Sequence, residues 1–196
     1  MAHCFNRVNR NVVFVTALFG LLTLASCLPV PLGDPDKSKV DSKLNGFWID
    51  VDDANSGNMY VIAPFDSHCY VVQAVAYTKK DDHYETKSSA WRAWITELKG
   101  SRFMTLQPIA HLADPAFPND KYYPTAKIVL ESGKLIYKGL EPNYSKFKDL
   151  KDSAQLAQII QENREDSKMY VEKEITLRRL NASVESDAIL MKLAMP

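Results

Sequence analysis

The chain has 196 residues, 46% of them hydrophobic, with 24 basic and 24 acidic side chains. That length suits one domain with a real core, and the charge balance gives no electrostatic case for nucleic acid. Seven glycines, none in a phosphate-cradling pattern, argue against dinucleotide binding.

The first 26 residues hold Arg7 and Arg10, no Lys and no acidic residue, and an uncharged run from Val12 to Ala25 follows the arginines. A positive end, a short apolar middle and small residues before a cut make a secretion signal. The run is too short for an ordinary spanning helix, which needs roughly 20 apolar residues. It closes on Leu24-Ala25-Ser26-Cys27. This quartet resembles the lipobox of bacterial lipoproteins, a resemblance that implies cleavage between Ser26 and Cys27 and acylation of the Cys27 sulfur and amine. Two or three acyl chains hold a protein on a membrane durably, each buried methylene contributing about 0.8 kcal/mol. In that class Asp after the lipidated Cys is associated with retention at the inner membrane, so Leu28 implies passage to the outer membrane. Without Arg7 and Arg10, the mature part has 22 basic against 24 acidic residues, a formal charge of −2. Of the three cysteines, Cys4 leaves with the signal and Cys27 is acylated, so Cys69 has no partner within the mature chain and reads as a small buried thiol.

Residues 27–43, rich in Pro, Asp, Ser and Lys, read as a lipid-anchored flexible linker. The domain is expected over 44–180, with 181–196 a loose tail or short amphipathic helix. Short apolar segments separated by turn residues predict strands at Phe47 to Val51, Met59 to Ala63, Cys69 to Tyr77 and Phe103 to Leu106. Thr78 to Lys87 reads as a charged loop. Ser89 to Leu98 has Trp91, Trp94, Ile95 and Leu98 at helical spacing, yet Lys99-Gly100-Ser101 makes a tight turn into the next strand, so a strand is expected there. Tyr122 to Leu130 alternates Ala126, Ile128 and Leu130 with polar residues and pairs through Ser132-Gly133 with Leu135 to Leu140. Asp152 to Arg164 is the clearest helix, with Asp152 and Gln155 as a capping box and an apolar stripe of Leu156, Ala157, Ile159 and Ile160. Met169 to Leu180 reads as a long last strand with Val171, Ile175 and Leu177 inward.

The fold class that follows is mainly β: an antiparallel barrel or half-open barrel of about eight strands with one helix before the last strand. Gly46-Phe47-Trp48 at the start of the first strand resembles the opening motif of lipocalins. The resemblance implies a Trp48 that closes the barrel floor beneath an Arg from the last strand, either Arg178 or Arg179. The aromatics Tyr70, Tyr77, Trp91, Trp94 and Tyr137 fall in or next to strands and either fill the barrel or line a cavity open at one end.

No nucleophile elbow, zinc-protease helix or other catalytic motif is present, which argues against an enzyme. His68, His83 and His111 lack metal-ligand spacing, and Asp50, Asp52 and Asp53 lack the alternation and closing Glu of a calcium loop, so neither metal nor cofactor is expected. The functional expectation is an envelope lipoprotein whose barrel binds a lipid or other apolar small molecule. The alternative is a solid barrel that binds an envelope protein through its loops, Thr78 to Lys87 and Asp114 to Pro124.

Overall fold

The computed structural model describes residues 27–50, 56–81, 83–113 and 122–180. The signal run with Ser26, Asp52 and Asp53 of the considered calcium loop, most of the loop from Asp114, and the tail from Asn181 lie outside the described residues.

Nine strands form one antiparallel sheet: β1 (Cys27–Leu28), β2 (Gly46–Asp50), β3 (Ser56–Pro64), β4 (Tyr70–Lys80), β5 (His83–Leu98), β6 (Ser101–Pro108), β7 (Tyr123–Glu131), β8 (Lys134–Gly139) and β9 (Ile175–Arg179). Strands β2 to β7 pair in chain order, β7 pairs with β8, β8 with β9, and β9 returns to β2, closing an eight-stranded barrel. Closure removes every edge except the short β1, which pairs only with the start of β7. Among the described residues two α-helices interrupt the strands, a single turn α1 (Ala110–Ala113) and α2 (Ser153–Asn163), the latter lying before the last strand. The architecture is that of a lipocalin-like barrel.

Local chemistry explains the ring. The β5–β6 and β7–β8 hairpins turn on Lys99-Gly100 and Ser132-Gly133, and all four residues have positive φ. That backbone matches the twist of the flanking strands, which is why two-residue turns of this kind close hairpins tightly. Along β4, Tyr70 and Val72 belong to the inner cluster, and their register partners Ala93 and Trp91 on β5 share that face. In α2 the Asp152 carboxylate accepts from the Gln155 backbone N–H at 2.8 Å, while Gln155 Oε1 accepts from the Lys151 N–H at 2.9 Å.

Three boundaries differ from those expected. Residues 27–43 are not a loose tether: Leu28 and Leu32 are fully buried in an outer cluster, and the chain here forms a strap on the outside of the barrel that leads to Leu44, buried in the inner one. Its prolines exclude long ladders but favour an extended path, and the Asp34 and Asp41 carboxylates cap two single-turn 3₁₀ segments, Pro35–Lys37 and Ser42–Leu44. The Leu32 carbonyl accepts from Trp94 Nε1, Thr96 Oγ1 and Thr105 Oγ1 at 2.8, 3.1 and 3.3 Å. Gly33 is required at φ +75°, because a Cβ there would stand 2.0 Å from Thr96 Oγ1.

The expected loop at Thr78 to Lys87 is instead the outer end of the β4–β5 ladder, paired from Thr78↔Glu85 to Lys80↔His83. Its residues are charged because the ladder continues where no core covers it, and Lys80 and Glu85 pair at 2.8 Å. The long strand expected from Met169 is shorter. Ser167–Met169 is a 3₁₀ turn capped by Asp166, Tyr170 makes an isolated bridge to Leu140, and the ladder starts at Ile175.

A second core lies outside the barrel. Leu156 and Ile160 of α2 pack with Leu28, Leu32, Phe103, Leu140, Tyr144, Phe147 and Met169. The strap thus lies in the same apolar cluster as the helix and the outer barrel wall, and the Gly33 N–H donates to Ser153 Oγ at the start of α2 at 2.8 Å.

Candidate functional site: a floored barrel cavity

Strands β3, β5, β7 and β9 begin, and β2, β4, β6 and β8 finish, at one end of the barrel; the opposite end is floored. Trp48 is fully buried at the floor and its Nε1–H donates to the Leu44 carbonyl at 2.9 Å. The guanidinium over its ring is that of Arg179, 4.8 Å from the ring centre, not that of Arg178. Register decides this: Trp48 pairs directly with Arg179, so the two share the inner face, whereas Arg178 pairs with Ile49 on the outer one. The Arg179 guanidinium also donates to the Lys43 carbonyl. Beside it the Tyr70 hydroxyl and the Asp41 backbone N–H are hydrogen-bonded, and Arg102 pairs with the Asp41 carboxylate at 3.0 Å. Asp41 has its pKa lowered, first by the Lys43 N–H that its carboxylate accepts and then, against the cost of burial, by Arg102.

Above the floor the barrel is hollow. A cavity of about 160 Å³ is walled by Ile62, Val72, Ala74, Trp91, Met104, Leu106, Pro124, Ala126, Ile128, Leu135 and Leu177, with Asn58, Tyr60, Ser89, Thr125 and Tyr137 as polar members. The Tyr60 and Tyr137 hydroxyls lie 3.3 Å apart, their rings edge-to-face at 76°. Burial is the main cause that raises both phenol pKa values, and the nearby Asp50 charge raises them further.

The five aromatics singled out from the sequence part company here. Trp91 and Tyr137 stand on the cavity wall. Tyr70 faces inward but is used by the floor. Trp94 faces outward, buried beneath the strap and edge-to-face with Tyr123. Tyr77 shares the outer face with Val75. Sequence reading missed Tyr60 and Asn58. The signal was present in the alternation of β3, since Tyr60 lies directly opposite Trp48 and so must face inward with it.

His83 and His111 have no described side chain, and His68 and Cys69, neighbours in the chain, have separate partners. His68 Nδ1 is 2.9 Å from the Ser38 carbonyl. Cys69 is buried, with Arg92 Nε donating to its sulfur at 3.2 Å, and burial pushes the thiol pKa up despite that cation. A thiol held protonated is a poor nucleophile. Among the described residues no three His, Cys, Asp or Glu side chains gather as a metal set. Among them, too, no helix is long and apolar enough to cross a membrane.

The backbone of Cys27 is in register with Pro124, a residue of the cavity wall at the end opposite the floor. No protein-family model matches the chain, and no curated protein or solved structure matches it either.

Proposed function

We propose that the chain is a lipid-anchored envelope protein whose barrel binds a small apolar molecule. The observation that carries this reading is the hollow interior: 16 residues from seven strands surround one mostly apolar space. Small barrels hold one such ligand. Size narrows the class. A cavity of roughly 150 Å³ lined by Leu, Ile and Phe accommodates a benzene ring, so about 160 Å³ suits one ring or one short chain rather than a whole diacyl lipid. A solid barrel acting through its loops is the weaker reading, because a protein selected only for its outer loops gains nothing from leaving its core unfilled.

Anchorage rests on the residues before the barrel, above all Cys27 after Leu24-Ala25-Ser26. With Leu28 already buried, acyl chains on Cys27 would enter the bilayer with almost no slack and beside the cavity mouth, and outer-membrane residence would follow from Leu28 by the lipoprotein sorting rule.

Calorimetric titration of the mature protein with 1-hexanol tests the binding half. One site per chain is expected, lost when Ala126→Leu fills the wall. No heat of binding in wild type, or unchanged binding in a folded Ala126→Leu variant, overturns it. For the anchor, wild type is expected to incorporate labelled palmitate and sediment with membranes. A Cys27→Ser variant that does the same removes the anchor from the reading.

A further inference from the structure

Asp50 is the last residue of β2. Trp48 belongs to the inner cluster and Ile49 to an outer one, so the alternation of the strand returns Asp50 to the inside. Its register partner on β9 is Leu177, which lines the cavity. The Oδ1 atom of Asp50 is buried and has no hydrogen-bond partner. An unpaired buried carboxylate oxygen is costly, and such atoms in native proteins are met by water or by a ligand.

The surroundings decide which kind of ligand. Among the described residues, none of those lining the cavity is Lys, Arg or His. Of the cations at inner-face positions, Arg102 and Arg179 sit at the floor, where Arg102 Nη1 pairs with Asp41 while its buried Nε has no partner, and Arg179 covers the Trp48 ring and donates to the Lys43 carbonyl. Lys80, near the open end of β4, pairs with Glu85 and is not part of the cavity wall. Lys87, at an inner-face register position on β5, is exposed beyond the cavity and is not part of its wall. Tyr60 and Tyr137 stay protonated, held so by burial and by the Asp50 charge, and therefore offer neutral hydroxyls. An entering carboxylate would meet negative potential with no compensating cation. An entering ammonium would meet a carboxylate oxygen that lacks a donor, with phenol oxygens beside it that can accept.

We propose that the cavity selects a small apolar molecule bearing a cationic amine, its ammonium donating to Asp50 Oδ1 beside the Tyr60–Tyr137 pair and its hydrocarbon part lying against Trp91, Leu106 and Ile128. This rests on the hollow-barrel reading above and names the class of molecule the hollow takes.

The test compares hexylamine, 1-hexanol and hexanoate at pH 7 by calorimetry on the mature protein, wild type and Asp50→Asn. A hydrogen bond to a charged group predicts that hexylamine binds about tenfold or more tighter than hexanol, and that hexanoate binds weakest. Asp50→Asn, nearly the same size, should erase the amine preference while still binding hexanol, which also shows that the variant is folded. Equal binding of all three by wild type, or tightest binding of hexanoate, overturns the amine assignment and leaves the cavity reading standing. Failure of wild type to bind any of the three overturns both. The wild-type ranking alone decides the matter should Asp50→Asn not fold.

Discussion

The two faces of the same barrel wall are built to opposite ends. Outside, beneath α2 and the strap, large apolar side chains close on one another completely: Leu28, Leu32, Leu140, Leu156 and Met169 have no exposed surface. Inside, the wall leaves about 160 Å³ empty and keeps the Tyr60 and Tyr137 side chains on its lining. The difference shows where stability is generated and where it is given up. The outer core supplies burial that the hollow interior forgoes, and the strap gives the outer core much of its area. A chain that only had to fold would close the interior as it closes the exterior, since unfilled space forfeits dispersion contacts.

The largest effect should come from the floor, where the inner core is sealed. Trp48→Ala removes a fully buried ring, its bond to the Leu44 carbonyl and its stacking with Arg179. A loss of about 3–5 kcal/mol in urea unfolding is expected, and a loss below about 1 kcal/mol would mean that the floor is dispensable. The second effect sharpens the contrast of faces with one chemical change. Leu156→Ala, in the solid outer core, should cost near the upper part of the roughly 2–5 kcal/mol range for such truncations, and Leu106→Ala, on the cavity wall, near or below its lower end. The wall leucine already lacks neighbours on one side, so less is lost; equal costs would erase the distinction between the two faces.

The smallest effect is electrostatic and belongs to the junction of strap and floor. Because the pKa of Asp41 is lowered in the folded state, its contribution is present above the unfolded value of about 3.9 and is lost as pH falls through the folded one. Stability should therefore decline on acidification below about pH 4, and Asp41→Asn should flatten that decline. At pH 7 the cost of this variant should stay under about 1 kcal/mol, since Asn caps nearly as well and the Arg102 pair is partly solvated. An unchanged acid profile in Asp41→Asn would show that the floor does not depend on this carboxylate.

Much of the barrel was legible before any coordinates. Alternation in Tyr122 to Leu130, the glycine turns at Gly100 and Gly133, and the Asp152 cap each report a local preference that the fold keeps. The strap was not legible. Leu28, Leu32 and Leu44 are isolated among prolines and charged residues, so no periodicity marks them; Leu28 and Leu32 are buried by partners 60 to 130 residues away in the chain, such as Trp94 and Leu156, and Leu44 by the inner cluster around Trp48. The β4–β5 ladder beyond Tyr77 is hidden for the opposite reason: it carries charge where a strand ordinarily shows apolar alternation. Of the site, Trp91 and Tyr137 could be named as aromatic strand residues, but the same rule also named Trp94, which the wall turns outward.

By itself the sequence determined what local forces decide: the order of most strands, the helix before the last one, and the strand that opens at Gly46-Phe47-Trp48. The tertiary structure alone decided which side of each strand faces a hollow and which faces a solid core, that Arg179 rather than Arg178 covers Trp48, and that Asp50 is left without a donor. Period-two patterning separates two faces but does not say which one is inside, and emptiness belongs to no residue. It arises only when eight strands close at a fixed radius around side chains too small to fill the ring.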